Sequence, residues 1–150
     1  VIRPISYSEI LGAPNAAELL REYEEECSLP EIGRIDPQAA TYAAMERSGA
    51  FQCFGLFEDD GSLVGFASVL VYVNPHYNKP IATVESLFVA EAHRSGSAWF
   101  QLRGALKEYS RRRGCVALLL SAPVGSKLAR LLFVEEDECR NSNHVFITRL

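Results

Sequence analysis

The sequence predicts one mixed α/β domain over residues 1–150, with a central, mostly antiparallel sheet flanked by helices, and three observations carry that expectation. Residues 51–73 hold two runs rich in aromatic and β-branched residues, FQCFGLFE and LVGFASVLVYV, joined by the turn-forming Asp59-Asp60-Gly61-Ser62. That is the pattern of an antiparallel hairpin. The second run is apolar on both faces from Val64 to Val73, which suits a strand near the middle of a sheet covered on both sides. Residues Val84 to Gly114 pass from an apolar run (Val84 to Val89) through a short polar turn holding Gly96 into a segment of helical period that stops at Gly114.

The elements follow in order. Ile2 to Ser6 is a short candidate strand, followed by a polar break. A helix is expected to start at Asn15, three residues before Glu18 in the capping-box spacing, with Ala16, Leu19, Leu20, Tyr23 and Cys27 at helical intervals. Its outer face carries Glu22, Glu24, Glu25 and Glu26, either a plain solvated surface or one set beside a cationic acceptor. After a linker with Pro30 and Gly33, Asp36-Pro37 reads as the N-cap and first residue of a helix running through Met45, with Gly49 beyond its end. The hairpin comes next, then the loop Asn74 to Pro80 with His76 and Tyr77, and a strand from Ile81 to Val89. Beyond the loop Ala90 to Ser97, the main helix sets Trp99, Leu102, Leu106 and Tyr109 on one face and crowds Arg111, Arg112 and Arg113 into its last turn, where cations suit the peptide dipoles. A run from Cys115 to Ser121, a turn at Ala122 to Gly125 and a short helix from Ser126 to Leu132 follow. Phe133 to Glu138 and Val145 to Leu150 are expected to close the chain as a hairpin turned by Arg140-Asn141-Ser142-Asn143.

Bulk properties narrow the function. With 150 residues and 48% hydrophobic content the chain can bury a substantial core. A net charge of −4 argues against nucleic acid as the main partner, because that affinity comes largely from Lys and Arg neutralising phosphates. Cys27, Cys53, Cys115 and Cys139 form no CxxC pair and, with three scattered histidines, give no metal-ligand spacing, so four reduced thiols and no metal are expected. No apolar run approaches the roughly 20 residues of a membrane span, and VIRPIS lacks a signal-peptide core, so a soluble, cytoplasmic protein is expected. The sequence opens on Val1 rather than methionine, and a few natural residues are expected to precede it.

The segment from Val84 to Gly114 is where the chemistry is expected. The first-turn amides of a helix have no intrahelical partners and carry the positive end of the peptide dipoles, so a small, Gly-containing loop delivered there can hold a phosphate. The loop His93-Arg94-Ser95-Gly96-Ser97-Ala98 resembles the acyl-CoA pyrophosphate signature of the GNAT superfamily of N-acetyltransferases, a Gln or Arg, two free positions, Gly, one free position, then Gly or Ala. His93 stands at its first position, Gly96 at the fourth and Ala98 at the sixth, and the order of elements is similar to that family along nearly the whole chain. A narrower resemblance joins Tyr77 to Val89, the HRSGSA loop and Ser121 to Leu128, which look like acetyltransferases encoded by tailed phages and prophages and expressed in a bacterial host.

The resemblance implies a sheet that splays between the strand ending at Val89 and the one beginning at Cys115, with the pantetheine arm of acetyl-CoA inserted there. Main-chain groups of Leu87, Phe88 and Val89 would pair with the arm, the backbone of His93, Arg94, Ser95, Gly96, Ser97 and Ala98 would hold the pyrophosphate, and Ser126 and Lys127 would flank the other side. It implies direct attack of a primary amine on the thioester in a ternary complex, with a Val89-region amide polarising the carbonyl. Glu85 is the first candidate for general base; strand alternation puts it on the face of Thr83 and Leu87, and a carboxylate among apolar neighbours needs a purpose. Pairing with a lysine or exposure at a turn is the plainer alternative for Glu85. His76 and Tyr77 are the next catalytic candidates, with loop packing as their alternative. The family's tyrosine acid has no counterpart in Ser126 to Leu132, which leaves the thiolate's proton to solvent, Ser121 or Tyr77. That helix also lacks a following Gly-Phe and reads a few residues short, through a truncated loop or absent residues. Two rivals stay open, a catalytically weak acyl-CoA-binding regulatory or structural module and an unrelated α/β domain that holds another phosphate ligand. The acceptor is left open among peptides, polyamines, aminoglycoside-like drugs and small metabolites, and so is a homodimer.

Overall fold

In the computed structural model, which describes residues 1–94, 97–134 and 139–149, five strands form one sheet in the order β1-β2-β3-β4-β5. These are β1 (Ile2–Ile5), β2 (Phe51–Phe57), β3 (Leu63–Asn74), β4 (Lys79–Val89) and β5 (Leu118–Leu119). The first three pairings are antiparallel and only β4 with β5 is parallel. Three helices, α1 (Tyr7–Leu11), α2 (Ala16–Cys27) and α3 (Ala39–Arg47), lie between β1 and β2; α4 (Ala98–Arg112) follows β4 and α5 (Lys127–Val134) follows β5.

The central strand alternates between two cores. Phe66 of β3 packs with Ile5, Tyr7, Ile10, Leu19, Phe51, Cys53 and Phe88 on the side of α1, α2 and α3. Ala67 and Val69 pack with Phe54, Leu56, Ala82, Val84, Leu102 and Leu106 on the side of α4. Both faces of β3 are therefore covered, as its continuous apolar run requires. On α4 the buried stripe is Ala98, Leu102 and Leu106, and Tyr109 meets the edge of Phe54 at 5.9 Å between centroids.

Several expectations are corrected. The polar break after β1 holds α1, started by a true capping box in which Ser6 Oγ accepts from Glu9 N and the Glu9 carboxylate accepts from Ser6 N. At Asn15 the expected capping side chain instead donates from Nδ2 to Leu63 O at 2.8 Å and so ties α2 to β3. The third helix starts at Ala39 with Gln38 as its cap, not at Asp36-Pro37, because the backbone at Gln38 is still extended. The run Cys115 to Ser121 yields only two strand residues. Among the described residues the closing hairpin does not form: α5 carries on through Phe133 and Val134 and residues 139–149 contain no strand, while 135–138 and Leu150 of the expected hairpin lie outside the described residues. The heptad-like spacing of Leu128, Leu131 and Leu132 with Phe133 and Val134 suits helix as well as strand, and the helix prevails.

Candidate active site

The site is built on a defect in β4. Ser68 of β3 pairs with Ser86, but its neighbour Val69 pairs with Val84, so Glu85 is an extra residue with no partner across the ladder, a β-bulge. Before the bulge Ala82 and Val84 face α4; after it Leu87 again packs on the α4 side while Phe88 lies on the other. The expectation that Glu85 and Leu87 share a face is thereby corrected, since the bulge shifts the phase of alternation between them. Glu85 and Ser86 both turn toward the layer of α1, α2 and α3.

There the Glu85 carboxylate is held by two hydroxyls. Tyr42 Oη of α3 donates to Oε1 at 2.9 Å and Ser68 Oγ donates to Oε2 at 2.6 Å. Ser68 is fully buried, and its Oγ lies 2.6 Å from Ser86 Oγ and accepts from Ser86 N at 3.2 Å. Tyr42 stacks on Tyr7 at 3.7 Å between nearly parallel rings, and Tyr7 N donates to Glu46 of α3 at 2.6 Å. Burial, and then the charge of Glu85, push the Tyr7 phenol up to about 12; the same causes, with the hydrogen bond to Glu85, hold Tyr42 well above the ordinary phenol range. Both phenols stay protonated at neutral pH. Tyr42 and Ser68 were not found from sequence, and neither has a local signal there: they reach Glu85 across 43 and 17 residues.

Beyond Thr83, β4 has no strand on its outer edge among the described residues, because β5 pairs only with Ala82 and Thr83. Ala90 N donates to Val64 O at 2.9 Å, so by the alternation of an antiparallel ladder the main-chain groups of Phe88 face β3 and those of Leu87 and Val89 face the open edge. This open edge lies where the resemblance noted from the sequence implies a splay between the two strands. Gly65 permits the close pairing opposite: a Cβ there would stand 2.8 Å from Phe88 O.

The chain leaves β4 through a 3₁₀ turn, Glu91–His93, toward α4. His93 Nδ1 sits 2.9 Å from Glu58 Oε1. Arg94 folds back: its Nε donates to Val89 O at 2.7 Å, a terminal nitrogen pairs with Glu26 of α2 at 2.5 Å, and the guanidinium lies 5.3 Å from the Phe88 ring centroid. Ser95 and Gly96 lie outside the described residues. Ser97, the N-cap residue of the 15-residue α4, accepts from Gln101 Nε2 through its Oγ and makes no side-chain capping bond of its own. Ala98 is buried against the core. Ser126 Oγ accepts from Ala129 N at the start of α5, with exposed Lys127 beside it.

His76 and Tyr77 stand apart from this cluster. They occupy the β3–β4 turn, edge to face at 4.8 Å, with their amides donating to Asn74 Oδ1. Glu85 lies six residue steps along β4 from Lys79, about 20 Å along a strand. The acidic face of α2 is largely partnered: Glu24 with Arg34, Glu25 with Arg21, Glu26 with Arg94, while Glu22 accepts from Glu91 N.

A strand with a half-open edge that leads toward the start of a long helix has a counterpart among known proteins. The family model described as the acetyltransferase (GNAT) family matches residues 16–133. The chain belongs to the GNAT acetyltransferase family. Among solved structures it resembles a ribosomal-protein-alanine N-acetyltransferase from Brucella melitensis biovar Abortus 2308 at 20% identity, covering 100% of this chain and 99% of that one, with a TM-score of 0.71. It also resembles an acetyltransferase from Trypanosoma brucei at 18% identity, covering 99% and 96%, with a TM-score of 0.69. A third likeness is to an aminoglycoside acetyltransferase from an uncultured soil metagenomic sample in complex with sisomicin, at 17% identity, covering 99% and 95%, with a TM-score of 0.69. At these identities the structures share the GNAT fold. No curated protein matches. Among the described residues no group of ligating side chains could hold a metal ion, and no helix is long and apolar enough to cross a membrane.

Proposed function

We propose that this GNAT protein is an acetyl-CoA-dependent N-acetyltransferase that acts by direct attack of a primary amine within a ternary complex. The observation that carries the reading is the Glu85 carboxylate, held by two hydroxyls on the strand whose open edge runs toward the start of α4. Acetyl-CoA supplies the activated acetyl group when bound. The outward main-chain groups of Leu87 and the N–H of Val89 suit an extended arm, while Phe88 between them pairs with Phe66 of β3. By the sequence signature, the backbone of His93, Arg94, Ser95 and Gly96, with the amides of Ser97 and Ala98 at the helix start, would hold the phosphate oxygens, and Ser126 and Lys127 would flank the other side.

Glu85 takes a proton from the amine, directly or through water, as nitrogen bonds to the acetyl carbon and the carbon–sulfur bond breaks. The Val89 N–H donates to the carbonyl oxygen as negative charge gathers there. Solvent returns a proton to the sulfur, since α5 has no tyrosine to do so. The acceptor is a small-molecule or peptide amine, in keeping with the two relatives that carry alanine and aminoglycoside in their names. A phage-like origin, a cytoplasmic location and the absence of nucleic acid and membrane partners rest on the sequence stretches and charge alone. The missing tyrosine supports one second reading, a catalytically weak acyl-CoA-binding module.

Calorimetry with acetyl-CoA followed by a thiol-release assay against mixed amines tests the reading. Glu85→Gln is expected to keep acetyl-CoA affinity and to lower kcat by about 10²- to 10⁴-fold, the usual worth of a general base. Binding by the unaltered chain without release on any amine would favour the module, and no binding would overturn both readings.

A further inference from the structure

We infer that Tyr42 of α3 and Ser68 of β3 are positioning residues that fix the Glu85 carboxylate toward the layer of α1, α2 and α3, so that the amine is deprotonated on that face. The inference rests on the reading of Glu85 as base.

A glutamate on a bulge is exposed and has no partner residue on the neighbouring strand to restrain it. Two donors from separate elements nevertheless occupy its two oxygens, at 2.9 Å and 2.6 Å. An ionised carboxylate only accepts, and that fixes the direction of every bond beneath it. Ser68 must spend its one proton on Glu85, so Ser86 must be the donor in the 2.6 Å contact between the two serines. The result is a chain from Ser86 Oγ through the fully buried Ser68 Oγ to Glu85 Oε2. Buried hydroxyls are kept only with partners, and these two are satisfied in one direction while Glu85 is charged. On the other oxygen, the Tyr42 ring is held by its stack on Tyr7 and so brings the phenol to a set place. Both donors come from the side of α1, α2 and α3, away from α4, and so hold the carboxylate on that face of the sheet.

The test uses the full chain, acetyl-CoA and three amine probes: spermidine, sisomicin and a peptide with an N-terminal alanine. Tyr42→Phe keeps the ring and its stack; Ser68→Ala removes the second donor. Each is expected to lower kcat on the order of tenfold or more with KM for acetyl-CoA unchanged, because a misplaced base loses near-attack geometry rather than donor binding. In a Glu85→Gln background neither change should lower kcat further, since the groups act as one unit. Circular dichroism confirms folding of each variant, and Tyr42→Phe alone decides the matter if Ser68→Ala does not fold. Unaltered kcat in folded Tyr42→Phe, or a loss that adds in full to that of Glu85→Gln, overturns the positioning role. Unaltered kcat in Glu85→Gln overturns the base itself, and no thiol release from the unaltered chain with any probe overturns the transferase reading together with this inference.

Discussion

Among single residues, Arg94 shows how a side chain expected at a ligand can be committed elsewhere. Its guanidinium gives one nitrogen to Val89 O and another to Glu26, and lies over Phe88, so it ties the end of β4 to α2. Only 23% of that side chain is exposed. Arg94→Ala is expected to destabilise the fold by about 1–2 kcal/mol, between the worth of an exposed ion pair and that of a charged hydrogen bond, read as a shift in urea midpoint. Lysine should not restore it, because one ammonium cannot reproduce the planar fork. Sequence reasoning reached Glu85 because a carboxylate inside an apolar strand is conspicuous. It could not reach Tyr42 or Ser68, which look like ordinary helix and strand residues until the fold brings them to Glu85.

At the level of elements, the hairpin of β2 and β3, the strand β4 and the amphipathic α4 were all legible, each having a long periodic run bounded by glycine or a turn. The short pieces were less so. The five residues of α1 carry little periodicity, although the Ser6 and Glu9 spacing was a readable start signal. Residues 145–149, Val-Phe-Ile-Thr-Arg, are mostly β-branched or aromatic, yet form no strand among the described residues, since propensity gives a tendency and only a pairing partner makes a ladder. Where β3 meets the end of β4 the ladder has no spare room: beside the 2.8 Å approach to Phe88 O, a Cβ on Gly65 would lie 3.2 Å from Val89 Cγ2. Gly65→Val should therefore cost about 1–3 kcal/mol in urea unfolding, as overpacking does, and weaken acetyl-CoA binding by displacing the open edge of Val89.

In the whole molecule, the two cores on opposite faces of the sheet account for the buried phenols and thiols. Tyr7, Tyr23 and Tyr42, with Cys27 and Cys53, are all pushed up, each mainly by burial. The folded chain thus holds protons that the unfolded chain releases from pH 9 for the thiols and pH 10 for the phenols. In that range the unfolded state binds fewer protons, so the free energy of unfolding falls as pH rises. Stability is expected to be intact below pH 9 and to decline through pH 11, where Cys27 titrates, and pH 12, where Tyr7 does; urea midpoints taken at a series of alkaline pH values would show the decline. A flat profile over that range would mean that these groups reach solvent in the native state. The overall architecture was the most legible feature of all, because the order of strand and helix periods survives errors at individual boundaries.

The bulge has a meaning in the gene as well as in the sheet. With Glu85 taken out, Val84 would still face α4, Ser86 would still lie opposite Ser68, and every later side chain of β4 would keep its side. Glu85 is thus one residue, and one codon, more than the β3–β4 ladder needs. On the reading of Glu85 as base, deletion of its one codon would remove the chemistry while the remaining residues of β4 kept their pairing with β3.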